Sequence, residues 1–422
     1  MVRARAATTV VGMPWRSSRP VLALLAGAVL LTGVACATAP ASAPPPAPPL
    51  VLSLPAPTGP HPLGTVELHL VDRDRTDPWA AQPGAPRELM VSVWYPARPE
   101  PETPRAPWFP PGVAAHYDRT SGAFGIRPGT VGFAGARTHA GQRAAVAADA
   151  VGLPVVLYSP GGGLSRAMGT ALVEELAGRG YVVVTVDHTF AGPVQFPGRM
   201  ELPARNLDKA RMLQEQVRDI RFVLDQLALV AAGTDPDAQR RGLPAGLPAA
   251  LDLSRVGMFG HSAGGFTTAE TMLADDRIDA GANLDGSMDP GYGNASTRGV
   301  DRPFLLMGGG TSGDDGHPHH HLAVPDWNAF WEHSTGWKRD VYLPAAEHMS
   351  FGDQQVLLPQ IDEELPLPDG VLEQLVGTVD PERSIAAQRA HLTAFFDLHL
   401  RGRPTALFDG GSAEHPDARI VR

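Results

Sequence analysis

The stretch that most constrains this chain runs from Arg255 to Glu270, RVGMFGHSAGGFTTAE. A short apolar run, Val256 to Phe259, stops at Gly260-His261-Ser262-Ala263-Gly264-Gly265, and residues fit for a helix follow. A serine boxed by small residues between a buried strand and a helix is the pattern of a nucleophile elbow. The turn is so tight that only small neighbours fit, and it pushes the hydroxyl out of the sheet. The plain alternative is a Gly-rich strand-to-helix turn carrying an ordinary serine. The rest of the chain has to decide between them.

Its surroundings predict an α/β fold. GTVELHLVD and RELMVSVWYPA alternate apolar and polar residues, as half-exposed strands at an antiparallel edge do. LPVVLYS and YVVVTVDH are continuous apolar runs, as expected of strands buried on both faces. Between and after them come helical patterns. AMGTALVEELAGRG ends on glycine, and Leu213, Val217, Ile220, Leu224 and Leu227 share one helix face. DAGANLDGS, RPFLLMGGG and KRDVYLPA read as further strands, PDWNAFWEHS and SIAAQRAHLTAFFDLHLRG as helices. Strands alternating with helices predict a mostly parallel central sheet with helices on both faces. A chain of 422 residues suits one such domain with extra loops. The loops at 105–151 and 194–206 have no readable pattern and are expected to build the substrate pocket. A formal net charge of -10 gives no reason to expect a nucleic-acid partner.

The N-terminus reads as a leader. Arg3, Arg5, Arg16 and Arg19 precede the apolar run Val21–Val34, which is too short for a comfortable membrane span. Cys36, the only cysteine, sits in TGVAC, which resembles a bacterial lipobox except that Gly33 stands where Leu is usual. Lipidation would make Cys36 a membrane tether. Cleavage near Ala37 or Ala39 by an ordinary signal peptidase is the rival. The expected organisation is a leader over 1–36, a Pro/Ala-rich tether over 37–62 and a catalytic domain over 63–422, exported to the cell envelope or beyond. With one cysteine, the domain has no internal disulfide.

A serine hydroxyl is a poor nucleophile at neutral pH. It needs a base in hydrogen-bond reach, and the base needs a carboxylate to hold its tautomer. After a G-x-S-x-G elbow these follow in the order serine, acid, histidine. For the base, His348 in YLPAAEHMSFGD follows a predicted strand, whereas His391 and His399 lie within a predicted helix. For the acid the residues leave two choices: Asp285 in NLDGSM, or Asp314 and Asp315 after the next strand. The general hydrolase pattern favours the later pair. One oxyanion donor is expected to be the Ala263 N–H and the other to come from the loop YSPGGGLSRAMG, where Gly161, Gly162 and Gly163 let the backbone approach a substrate oxygen. A dinucleotide site there fails on spacing, because Arg166 stands at the third glycine position. His317 and His319–His321 invite a metal, but a loop tract rarely supplies converging ligands, so a solvated loop at the rim is expected. His188 fits either the pocket wall or a structural role, and Trp327 and Trp331 are assigned to the core.

The segments MVSVWYPA, LPVVLYSPGGG, LAGRGYVVVTVDH, DIRFVLDQL, LDLSRVGMFGHSAGG, NLDGSM and AEHMSFGD, spread over Gly64 to Gly402, carry a resemblance. The chain resembles the α/β-hydrolases of the secreted platelet-activating factor acetylhydrolase family and its bacterial esterase relatives. The resemblance implies Asp285 as the acid, Ser262 as nucleophile, His348 as base, and Gly162 and Ala263 as oxyanion donors. It implies a serine esterase that forms an acyl-enzyme from short acyl esters, including those of phospholipids, without cofactor or metal. Pro160 departs from it, standing where the family often has histidine, and so does the His-rich loop. The rival readings are a general carboxylesterase or polyester hydrolase, and a non-catalytic lipid-anchored binding protein.

Overall fold

Alternation along the buried strands divides the core into two layers. The computed structural model describes residues 47–422 apart from Pro99 and residues 313–315. The expected leader over 1–36, with Cys36, and Asp314 and Asp315 lie outside the described residues. The strands that matter are β1 (Leu63–Thr76), β2 (Pro86–Arg98), β3 (Leu153–Ser159), β4 (Val182–Asp187), β5 (Leu251–His261), β6 (Ala280–Leu284), β7 (Phe304–Gly309) and β8 (Lys338–Leu343). The helices are α1 (Thr170–Gly178), α2 (Lys209–Ala231), α3 (Ala263–Ala274), α4 (Pro325–His333) and α5 (Pro381–Arg401). On β3, Val155 and Leu157 face one layer with Ile220, Val223 and Leu224 of α2. Val156 and Tyr158 face the other, with Leu172 of α1 and Phe396 of α5. This is the two-residue period of a strand covered on both sides. Each fully buried Val, Leu or Phe contributes about 1.5–3 kcal/mol.

The sheet order is β1-β2-β4-β3-β5-β6-β7-β8. Strands β3 to β8 are mutually parallel, while β2 runs antiparallel to β1 and β4. From β3 the chain moves outward to β4, then returns to place β5 on the other side of β3. Strand order reverses there, and in open α/β sheets ligands bind beyond the carboxyl ends of the strands at such a point. The loop after β3 and the turn after β5 therefore flank one crevice.

Three expectations are corrected. Strand β2 is not half-exposed: nearly all its residues are buried, because it is an inner strand. Short strands at Arg137–Gln142 and Arg105–Pro107 extend the sheet beyond β1. The segment 50–62 is not a free tether. Leu52 and Leu54 are buried, the Ser53 N–H donates to Gln360 at 3.0 Å, and Arg389 donates to the Pro55 and Ala56 carbonyls. The folded body thus begins about a dozen residues earlier than composition indicated. Finally, 105–151 and 194–206 do not line the crevice at Ser262. They form short strands and a helix, Pro111–Thr120, packed elsewhere.

Candidate active site

Ser262 sits between β5 and α3 at φ 55° and ψ -119°. That left-handed backbone costs of order 1–3 kcal/mol for a residue with a side chain, and it persists because the surroundings leave no alternative. The Ser262 N–H donates to the Leu284 carbonyl at 2.9 Å. A Cβ on Gly264 would overlap the Ser159 carbonyl oxygen, and one on Gly265 would overlap Asn283 Oδ1. The glycines after the serine are therefore required by close approach of the first turn of α3 to β3 and β6. The geometry is that of an elbow, not of an ordinary turn.

Two loops meet the serine. Ser262 Oγ–H donates to His348 Nε2 at 3.0 Å, and His348 Nδ1–H donates to Asp285 Oδ2 at 2.6 Å. His348 opens a short 3₁₀ turn after β8, and Asp285 follows β6 at φ 56°. The Asp285 N–H donates to Met307 O at 2.8 Å, and Oδ1 accepts from the Gly309 N–H at 3.0 Å. Although it ends β6, its carboxylate therefore leans over the end of β7. His261 steadies His348 from below, its Nε2–H donating to the His348 carbonyl at 2.8 Å. Burial, then the nearby His348, pushes the His261 imidazole down to about 3, so it stays neutral at working pH.

The histidine tract is not a solvated loop, which corrects the sequence reading. His319 and His321 are buried, while His317 is exposed. His319 Nδ1–H donates to Asp285 Oδ1 at 2.7 Å, and its ring lies 4.2 Å from Trp327. His321 bonds Asp340 at 2.7 Å and stacks on Trp331 at 3.8 Å. Asp285 thus bridges two imidazoles. Burial pushes its carboxyl up, but the charge and bond of His319, then those of His348, hold it well below the usual carboxylate range. Burial pushes His319 down, and the Asp285 charge and bond outweigh it, holding His319 above its ordinary value. Among the described residues no three metal-ligating side chains converge. Sequence reasoning missed His319 because its partner is remote in the chain and no local pattern marks it. His319→Leu is expected to lower kcat about tenfold to hundredfold, the worth of one charged hydrogen bond, with KM within about twofold. Steady-state kinetics checks this; a pure KM effect would assign His319 to substrate contact instead.

Gly162 and Ala263 face each other across the crevice, a Cβ on Gly162 falling 3.9 Å from the Ala263 Cβ. Among the described residues neither N–H is taken by another backbone or side-chain acceptor. The loop carrying Gly162 is held from both sides. The Gly163 N–H donates to Ala191 O at 2.8 Å. Behind it, Ser159 Oγ meets His188 Nε2 at 2.9 Å and His188 Nδ1 meets Asp219 Oδ2 at 3.0 Å. This serine, histidine and aspartate chain is fully buried, so it supports the loop and meets no substrate. His188 is structural, and not part of the pocket wall.

Residues 51–191 match the family model described as platelet-activating factor acetylhydrolase, isoform II. A probable 1-alkyl-2-acetylglycerophosphocholine esterase of Arthroderma benhamiae is 28% identical over 399 residues, covering 86% of this chain and 92% of the relative. A solved ferulic acid esterase from Streptomyces cinnamoneus is 36% identical, with TM-score 0.70, over 88% of this chain and 99% of that one. The chain belongs to the platelet-activating factor acetylhydrolase-like family of α/β-hydrolases. It is accordingly a serine esterase that acts on acyl esters, a carboxylic ester hydrolase.

Two cavities flank the serine of this family member. An open cleft of about 910 Å³ lies on the histidine side, lined by His348, Ser287, Thr311, His317 and Asp326 among others. A cavity of about 220 Å³ lies on the other side, lined by Gly162, Ala263, Met212, Leu213, Phe266 and Tyr292, with Lys209 at its wall. His348 lines only the first, and Gly162 and Ala263 line only the second.

Proposed function

We propose that Ser262, His348 and Asp285 carry out ester hydrolysis through an acyl-enzyme, with the Gly162 and Ala263 N–H groups holding the oxyanion. The observation that supports this best is the unbroken hydrogen-bonded chain Ser262–His348–Asp285 beside two unoccupied N–H donors. Ser262 Oγ attacks the carbonyl as His348 Nε2 takes its proton. The negative oxygen turns to the two N–H groups. His348 returns the proton to the departing alkoxide, and water then repeats the sequence on the acyl-enzyme. Asp285 fixes the His348 tautomer and stabilises the imidazolium.

Proton return fixes the orientation of the substrate. The leaving oxygen must face His348, so the alcohol lies in the large cleft and the acyl group points into the small cavity. At about 220 Å³ that cavity is below the roughly 300–1,000 Å³ of sites for drug-sized ligands, so the acyl chain is short. The wide cleft suits a bulky alcohol such as a glycerophospholipid. The ferulic acid esterase likeness favours a second reading, an aromatic acyl group, which the small cavity disfavours. The leader and Cys36 support export, with Cys36 as a lipid anchor, which mass spectrometry of the mature N-terminus would test.

Hydrolysis of p-nitrophenyl esters from acetate to palmitate, beside methyl ferulate, tests the reading. Activity is expected to fall steeply beyond about butyrate, with a burst of p-nitrophenol equal to one acyl group per chain. Palmitate or ferulate turned over faster than butyrate would sink the short-acyl assignment. Activity unchanged in Ser262→Ala would sink the mechanism.

A further inference from the structure

Helix α1 is capped by a residue from a remote part of the chain. Its own cap position is Gly169, and no side chain could stand there, because a Cβ on Gly169 would overlap the Tyr158 ring. Asp353 takes the free N–H groups of the first turn instead. The Thr170 N–H donates to Asp353 Oδ2 at 2.8 Å and the Ala171 N–H to Oδ1 at 3.1 Å. Trp108 Nε1–H is shared between Asp353 Oδ2 and the Ala167 carbonyl, at 3.2 Å each. The Asp353 N–H donates to Met168 O at 2.9 Å, and the residue is wholly buried. Asp353 also stands at the cap position of its own helix, Gln354–Glu364, yet its side chain accepts nothing from it. An aspartate there usually caps its own first turn. A local preference given up in this way points to another task.

The two ends of this contact define the task. Asp353 follows His348 by one short 3₁₀ turn, and α1 follows the loop of Gly162 by another, Arg166–Gly169. Met349, beside His348, and Leu164, beside Gly163, pack on the same apolar cluster as Ala167 and Met168. The carboxylate is thus the polar pin of an otherwise apolar contact between the two loops. We propose that Asp353 is a positioning residue that fixes the separation of His348 from the Gly162 N–H by capping α1 from the base loop. This deepens the serine-esterase reading and rests on it. The base must reach Ser262 Oγ while the carbonyl oxygen reaches its donors, and a misplacement of about 1 Å can cost a hundredfold in rate. Burial pushes the Asp353 carboxyl up to about 7 against the bonds from Ala171, Thr170 and Trp108, and Glu174 of α1 adds to the rise. Glu174 is itself bonded by His139, and Arg389 of α5, Tyr158 of β3 and Tyr117 of the helix Pro111–Thr120 also sense the Asp353 charge. A proton on Asp353 weakens the acceptor and loosens the pin.

The full chain is assayed on p-nitrophenyl butyrate as Asp353→Asn and as Trp108→Phe. Asparagine keeps the shape but sets its own N–H against an N–H of α1. Its kcat is expected to fall about tenfold to hundredfold, with KM within about twofold and a urea midpoint that reports a folded chain. A trifluoromethyl propyl ketone, whose hemiketal with Ser262 needs base and donors together, should bind more weakly by the same factor. Trp108→Phe removes one donor and keeps the carboxylate, so the same pattern is expected at about threefold. The ratio of wild-type to Asp353→Asn kcat should shrink as pH falls below about 7, since the His348 titration cancels in it. Unchanged kcat in a folded Asp353→Asn overturns the proposal, as does a loss confined to KM. Undiminished ketone affinity, or a ratio that grows toward acid, overturns it too. If Asp353→Asn does not fold, unchanged kcat in Trp108→Phe decides against it. Failure of the underlying reading would show separately, as butyrate hydrolysis that survives in Ser262→Ala.

Discussion

Asp285→Asn is expected to lower kcat by about four orders of magnitude with the fold intact. The carboxylate accepts from His348 Nδ1–H at 2.6 Å, which leaves Nε2 unprotonated and facing Ser262. An asparagine amide presents an N–H to Nδ1. The imidazole then carries its proton on Nε2, where it can take none from the serine. The same change weakens Oδ1, which accepts from both Gly309 and His319. Asp314→Asn and Asp315→Asn should alter kcat less than about twofold. Single-turnover and steady-state rates on p-nitrophenyl butyrate, with urea midpoints to report folding, check all three. Near-normal turnover in Asp285→Asn, with loss in either of the others, would move the acid to the loop after β7.

That ambiguity shows what the sequence made legible. Strands β3 to β7 and the elbow could be read because double-sided burial writes a continuous apolar run, and because close approach at Gly264 and Gly265 leaves no choice of residue. The acid could not be read from residues alone. The general pattern puts it after β7, and Asp285 reaches that place by ending β6 and leaning over, through Met307 O and Gly309 N. Nothing local in NLDGSM encodes that lean; the family resemblance pointed to Asp285 without it. The strap at 50–62 was masked by its prolines. Leucines at 50, 52 and 54 carry a two-residue period that composition hid. His319 was masked by its neighbours, since a run of histidines reads as polar while only alternate members turn inward.

Arg87→Met is expected to destabilise the folded chain by about 3 kcal/mol, the lower end for removing one partner of a buried ion pair. Arg87 is almost wholly buried. It donates to both oxygens of Asp219, at 3.1 and 2.7 Å, to Asp77 at 2.8 Å and to the Thr189 carbonyl at 2.8 Å. Methionine fills the space and leaves these acceptors short of a donor. The loss stays at the lower end because Arg75 and His188 still reach Asp219, at 2.6 and 3.0 Å. Burial pushes the Asp219 carboxyl up, but the Arg87 charge, with bonds from His188 and Arg87, holds it well below the usual range. A carboxyl lowered on folding contributes stability above its unfolded value, about 3.9, and loses it as pH falls toward the folded one. The gap between wild type and Arg87→Met should therefore be full near neutrality and shrink below about pH 4. Urea melts at pH 7 and pH 3 measure it, and a gap that widens in acid would contradict the assignment. Because Asp219 holds His188, and His188 holds Ser159 at the root of the loop proposed to carry an oxyanion donor, kcat should fall in the variant even where it remains folded. A stability loss with kcat untouched would show that Gly161–Gly163 keep the oxyanion loop in place without the buried chain behind it.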